Sequence, residues 1–302
     1  MRARFASIVI AALLLMPLGV TGQQSLKPIL DRLAAEASSF EKLAPEVVGQ
    51  EKLHQRILKP PPRFRPRVGE AAKRTLAPEW KERDIVSRYG ISMVGQSLHE
   101  IRQVISVDGR KVQDEQRAQA TLSKLLTASG DQQKLEGLRQ LEKYSLGGAA
   151  TDFGPLLLLF AHGGAERYEF TAAGPRLIGT VPARGYRFKQ LDGSEGLTLF
   201  AGQTQKLRME GEIWISVAPD GPIRITLASS VPGSVPSAAP GEVPGADSKD
   251  APPVREEASV DYARSPFGAL LPSHIEQRER HADEVSSENI FDYENFQKVA
   301  NR

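Results

Sequence analysis

Hydrophobic positions divide the chain into a helical part and a strand part. Over residues 26–40 the apolar side chains Leu26, Ile29, Leu30, Leu33, Ala34 and Phe40 recur at three- and four-residue spacing with charged residues between them, which predicts an amphipathic helix. In 47–58, Leu53, Gln55 and Ile57 alternate with His54 and Arg56 as a weak strand. Residues 91–107 are apolar and rich in β-formers, and an Asp108-Gly109 turn follows them between short extended pieces. Two helices are predicted over 113–127 and 131–144, from Leu122, Leu125 and Leu126 in the first and Leu135, Leu138 and Leu141 in the second, with Asp131 as N-cap. Residues 154–161 carry Pro155 at the first helical position and are apolar all round, the pattern of a short buried helix.

Beyond Ala165 a period of two takes over. Strands are predicted at 166–172, 176–181, 185–190, 197–200, 206–217, 222–229, 256–264, 270–280 and 285–297, with turns at 173–175, 192–194 and 219–222. Consecutive strands joined by tight turns pair with one another, so the expected sheet is an antiparallel meander. Residues 231–253 interrupt it with Pro, Ser, Ala and Gly and few large apolar side chains, which predicts a disordered insertion; the alternation resumes after it. The expected fold class is α+β, a curved antiparallel sheet, unclosed like a half-barrel, wrapped around or covered by several helices as one domain over 26–300.

Composition changes this picture first at the N-terminus. Arg2 and Arg4 precede an apolar run over 5–20 and then small residues, the pattern of a secretory signal peptide over 1–22 cleaved near Gly22. The run contains Pro17 and is shorter than the roughly 20 residues that span a bilayer. No later stretch is apolar for long enough to span, so the mature chain is expected in the periplasm or outside the cell. The 302 residues include no cysteine, which excludes disulfides, thiol nucleophiles, thiolate metal sites and a lipidated N-terminal cysteine. Lys plus Arg number 39 and Asp plus Glu 37. Once Arg2 and Arg4 leave with the leader the balance is zero, which argues against a nucleic-acid partner. The one local anomaly is the Pro-rich loop 59–78, where six bases face one acid over 59–74. Arg63, Arg65 and Arg67 are candidate contacts to an acidic partner or anionic headgroups, the plainer reading being a solvated loop.

No catalytic constellation emerges. His162-Gly163-Gly164 and the Gly95-Gln96-Ser97 stretch match fragments of esterase motifs, but the strand, elbow and helix order on a parallel sheet is missing. There is no His-Glu-x-x-His, phosphate-binding glycine loop or dinucleotide fingerprint. The pairs His274 with Glu276 and His281 with Asp283 are too few ligands to hold a metal. The chain therefore reads as non-enzymatic, with no cofactor, a hydrolase being the third and least favoured reading. Strand faces offer more: Ile213 and Ile215 point one way and Trp214 the other, Ile223, Ile225 and Leu227 alternate with polar residues, and the pairs Tyr168 and Phe170, Tyr186 and Phe188 each share a face. Tyr168, Phe170, Tyr186, Phe188 and Trp214 are the candidate lining of an apolar ligand site, the alternative being ordinary core packing.

A pattern of segments over roughly 165–300 resembles the LolA/LolB-like superfamily of bacterial envelope lipoprotein carriers. It rests on Tyr168-Glu169-Phe170 before a glycine turn, Gly211 to Ile215 ending in 219–221, Ile223 to Ile225, Val260-Asp261-Tyr262, Leu270-Leu271-Pro272 and the terminal 291–296. The resemblance implies an unclosed barrel with helices as a lid, holding acyl chains or an acylated protein between sheet and helices. The helices over 113–144 and the insertion at 231–253 are additions to the basic pattern. The leading expectation is a soluble exported carrier for a lipid-like ligand. The alternative is an envelope scaffold that engages protein partners through its basic and Pro-rich loops.

Overall fold

The computed structural model describes residues 26–59, 78–147, 152–193, 196–200, 203–218, 223–231, 254–281 and 284–299. The leader, Arg63, Arg65 and Arg67, the 219–222 turn, Asp283 and residues 232–253 of the expected insertion lie outside them. The elements are α1 (Leu26–Leu43), β1 (Val47–Lys59), β2 (Glu79–Val94), β3 (Ser97–Val107), β4 (Arg110–Lys111), α2 (Glu115–Thr127), α3 (Asp131–Leu138), a 3-10 helix over Gly154–Phe160 and another over Gly164–Arg167. Then come β5 (Tyr168–Ile178), β6 (Val181–Gln190), β7 (Gly196–Phe200), β8 (Gln203–Leu207), β9 (Met209–Ser216), β10 (Ile223–Val231), β11 (Val254–Arg264), β12 (Leu270–His281) and β13 (Glu284–Lys298).

Eleven strands form one antiparallel sheet in the order β4-β3-β2-β1-β13-β12-β11-β10-β9-β6-β5, with β7 and β8 a separate hairpin. The last strand pairs with the first: Leu53 lies opposite Phe291 and Gln55 opposite Asn289. Strands β4 and β5 remain as unpaired edges, so the sheet does not close. It is curved. Leu98 and Val104 of β3 and Tyr168 and Phe188 of β5 and β6 belong to one contiguous core, although eight strands lie between β3 and β5 in the sheet. Only a sheet that wraps brings those ends onto the same filling.

Register defines the concave face. One row crosses it through Ile225, Val260, Ile275, Phe291, Leu53 and Ile85, each opposite the next. Helix α1 turns Leu33, Ala37 and Phe40 onto that face, all at most 1% exposed, and the Phe40 ring meets Tyr262 edge-on at 6.4 Å. The expectation of helices against one side holds for α1 and the 3-10 helix only. Helices α2 and α3 lie on the outer face, where Leu122, Leu125, Leu126 and Leu138 pack on Val48 and Ile101, and Leu126 lies against Gly90.

The structure corrects three local readings. The helix expected to reach 144 stops at Leu138, because the chain must leave the outer face there: by Tyr144 and Gly147 its carbonyls accept hydrogen bonds from Arg83 and Gln55, whose side chains share the concave face with Leu53. Residues 173–175 are not a turn. Gly174, at φ +84°, forms a bulge inside β5, and Pro175 is tolerated because β5 is an edge; the chain turns instead at Gly179. Strand β2 begins at Glu79, far earlier than the apolar signal at 91. Its first four residues, 79–82, are exposed on both faces and are held by backbone pairing to β1, which leaves no alternation to read there.

Four strands are joined inside by charge. Arg102 of β3 reaches Glu51 of β1 at 2.7 Å and Glu100 at 2.8 Å, all three at most 2% exposed. The guanidinium lies over the rings of Tyr89 and Phe291, and the Tyr89 hydroxyl donates to Glu100 at 2.9 Å. Burial opposes the charge of Arg102, but Glu51 and then Glu100 outweigh it and hold its pKa well above the ordinary value. Burial raises the Glu51 carboxyl, against the pull of Arg102. Removing the cation leaves two buried carboxylates facing each other. Arg102→Leu is expected to lower unfolding free energy by about 3–5 kcal/mol, read from urea denaturation, and a loss below 1 kcal/mol would show the cluster to be dispensable.

Candidate functional site

Four aromatic rings gather where the 3-10 helix Gly154–Phe160 meets β5 and β6. This segment is apolar all round because both its sides are covered: α1 packs on it from above, and the sheet lies beneath. Its last residue, Phe160, is fully buried and inserts among three rings, at centroid distances of 5.8 Å from Tyr168, 6.2 Å from Phe170 and 5.5 Å from Phe188. The Phe188 contact is edge-to-face, the geometry that aromatic quadrupoles favour.

Of the five candidate lining residues, the structure brings together Tyr168, Phe170 and Phe188. Tyr186 lies further along the same strand face, opposite Ile213. Trp214 is on the outer face: its indole covers Gly185, where an added Cβ would meet the ring at 2.4 Å, and the Arg176 guanidinium lies over it at 5.5 Å. Phe160 is the residue that sequence reading missed. Its run was legible as a buried helix, but nothing local says which rings it would meet.

The cover is fastened to the sheet at a few polar points. Tyr262 both donates to the Gly154 carbonyl and accepts from Leu157 N–H, at 2.9 Å each, and burial raises its pKa. Helix α1 is tied by the Glu36 and Arg264 ion pair at 2.5 Å and by Arg32 donating to the Ser216 carbonyl at 3.1 Å. The entrance to the segment is latched twice. Glu100 accepts from the backbone N–H of Asp152 at 2.7 Å and of Gly154 at 3.0 Å, while Asp152 accepts from Glu100 N–H at 2.7 Å and pairs with His99 Nδ1 at 2.8 Å. Asp152 is itself left-handed, at φ +67°, so these bonds hold a conformation that a side chain rarely adopts. The alternating Glu100 and Arg102 of β3 were available in the sequence as two charges on one face of an apolar strand.

The outer face differs in character. A groove of about 480 Å³ crosses β5, β6, β9 and β10, lined by charged residues including Glu169, Arg187, Lys189 and Glu212. A second of about 250 Å³ continues it over β11 and β12. Among the described residues no three His, Cys, Asp or Glu side chains gather as a metal site, and no helix is long and apolar enough to cross a membrane. His274 contacts Glu276 at 3.4 Å and Asp292 at 2.7 Å, as part of the surface charge lattice.

No family model matches the chain, and no curated protein matches it. Among solved structures it is similar to a domain described as an outer membrane lipoprotein-sorting protein from Vibrio parahaemolyticus, with 8% identity and a TM-score of 0.36 over 89% of this chain and 91% of that one. It is also similar to a DUF1329 family protein from Desulfovibrio piger, with 7% identity and a TM-score of 0.31 over 89% and 92% of the two chains. A LolA superfamily protein from Nitrosomonas europaea gives 8% identity and a TM-score of 0.28 over 90% and 94%. At these identities no side chain carries across.

The latch makes stability depend on pH. The hydrogen bond to Asp152 raises the His99 pKa above the ordinary imidazole value, against partial burial. A pKa raised in the folded state stabilises fully below the unfolded value near 6.5, and that contribution is lost as pH rises through the folded value. Urea denaturation of the native chain between pH 5 and 9 should therefore show this contribution being lost as pH rises above the unfolded value, and His99→Gln should flatten that slope. Superimposable pH profiles for the two proteins would dismiss the latch.

Proposed function

We propose that the protein is a non-catalytic, exported carrier that binds an apolar, lipid-like ligand on the concave face of its sheet. The observation that supports this reading is the position of Phe160: one side chain of a short, separately fastened segment fills an aromatic niche walled by Tyr168, Phe170 and Phe188. Withdrawing it would expose a niche continuous with the row of Ile213, Ile225, Val260 and Ile275 beneath α1. An acyl chain could then take its place.

The energies are compatible. Losing a buried phenylalanine costs about 3–5 kcal/mol, and each methylene removed from water returns about 0.8 kcal/mol. A chain that buries about six methylenes offsets the displaced ring, and a longer one binds with a surplus. No reacting group is needed for this, because capture and release follow from the position of the cover alone.

Two variants test the reading, with a fluorescent fatty-acid probe as ligand. Phe160→Ala should bind the probe more tightly than the native chain while unfolding at lower urea. The chain has no cysteine, so Glu36→Cys with Arg264→Cys can be joined by a short bifunctional thiol reagent that fastens α1 to β11. The cross-linked protein should lose probe uptake and recover it when the linker is cleaved. Absence of probe binding by both the native and the Phe160→Ala proteins, each shown to be folded, would sink the carrier reading.

A further inference from the structure

We propose that the tip of the β5–β6 hairpin docks the protein onto an anionic lipid surface. Between residues 170 and 191 the chain carries Arg176, Arg184, Arg187 and Lys189 and not one acidic residue, the longest such imbalance in the strand half. The hairpin turns at Gly179, whose φ of +59° suits glycine, and its last pair is Ile178 opposite Val181. Ladder pairing between β6 and β9 ends two residues further in, at Ala183 opposite Ser216, with one more bond from Val217 N–H to the Pro182 carbonyl. Residues 177–181 therefore reach past the end of β9.

The projection is crowned with apolar side chains. Leu177 is 61% exposed and Val217 is 59% exposed, the highest among the exposed large hydrophobic residues described. Val217 is held at the base of the tip by its N–H, which donates to the Pro182 carbonyl at 3.1 Å. Bases collar this crown on both faces. Arg176 is braced over Trp214 on the outer face, and Arg184, opposite Ile215, stands on the concave side. Further down, Arg187 pairs with Glu212 at 3.2 Å and Lys189 lies opposite Glu210, so among the described residues of the hairpin the bases not set against an acid are those at the tip, Arg176 and Arg184.

This combination matches the physics of an interfacial anchor. Exposed leucine and valine gain by entering the headgroup and acyl boundary, and arginines at the same depth gain from anionic headgroups. A narrow crown on a projecting hairpin suits insertion better than it suits a protein partner, which needs a broad complementary patch. The strand end that bears the crown also holds the cover, since Arg32 of α1 donates to the Ser216 and Ala218 carbonyls. Docking would thus bring the lipid surface beside α1. The inference stands apart from the carrier reading, because it requires surface binding without a ligand inside.

The test is cosedimentation of the full mature chain with vesicles of phosphatidylcholine alone or mixed with phosphatidylglycerol. Binding is expected to the mixed vesicles and not to the neutral ones, weakened by salt, with a loss of at least tenfold for Leu177→Asp and for Arg176→Glu with Arg184→Glu. Leu177→Trp should shift its emission to the blue on mixed vesicles, whereas Met93→Trp, an exposed apolar position on β2, should not. The proposal is overturned if the native chain ignores mixed vesicles, if the charge-reversed protein binds them as the native one does, or if polyglutamate at equal charge competes as well as the vesicles. Circular dichroism of each variant separates loss of binding from loss of fold.

Discussion

A sheet that wraps without closing leaves one face apolar and one seam open, and the remaining chain must fill what the strands cannot reach. Closing a barrel would remove both edges and let interior side chains meet each other. Here β4 and β5 stay apart. The rows of Ile, Val and Phe across the concave face are buried because α1, the stretch over 141–147 and the segment over 152–167 lie on them. The sheet and its cover are thus two layers of chain, and the proposed capture of an apolar ligand works between them.

How the cover is attached follows from the cost of burying polar groups. Glu100 is almost fully buried, so each of its oxygens must find a donor. Arg102 and Tyr89 supply some of these from the sheet, and the N–H groups of Asp152 and Gly154 supply the rest from the incoming segment. The internal charge cluster is thus also the mooring point of the cover, and it selects one place for the segment to cross β3. Without those backbone donors a buried carboxylate would remain under-satisfied, so the cluster favours the closed arrangement even though each ion pair within it offsets a large desolvation cost.

The outer face obeys a different rule. Helices α2 and α3 cover it over β2 and β3, and elsewhere it carries ion pairs, between strands from Arg56 and Arg278 to Glu288 and from Arg280 to Glu257, and along one strand from Arg278 to Glu276 and from Arg255 to Glu257. Exposed pairs of this kind contribute little stability one by one. Together they keep a broad sheet surface wet, with acids and bases alternating across it. The β5–β6 hairpin departs from that balance, which is why its arginines and its exposed Leu177 stand out.

Several features were legible in the sequence because they depend on local periodicity. The spacing of Leu33 and Phe40 fixed α1, alternation through Ile213, Ile215, Ile223 and Ile225 fixed two core strands, and the opposite orientation of Trp214 followed from the same period of two. The reading of an unclosed antiparallel sheet with helices rested on such signals and agrees with the structure. Other features depended on tertiary contact. Gly174 and Pro175 look like a turn in any sequence, and only the edge position of β5 makes them a bulge. The stretch 79–84, charged except for Trp80, became strand because β1 offered backbone bonds, which leave no alternation in the sequence. The leucines after Asp131 keep helical spacing past Leu138, yet the chain bends there to reach Gln55 on the other face. Above all, which ring Phe160 would meet and which donors Glu100 would find were decided by wrapping the sheet. Periodicity fixes the face a side chain takes, whereas its partner across the core depends on how distant strands curve toward each other.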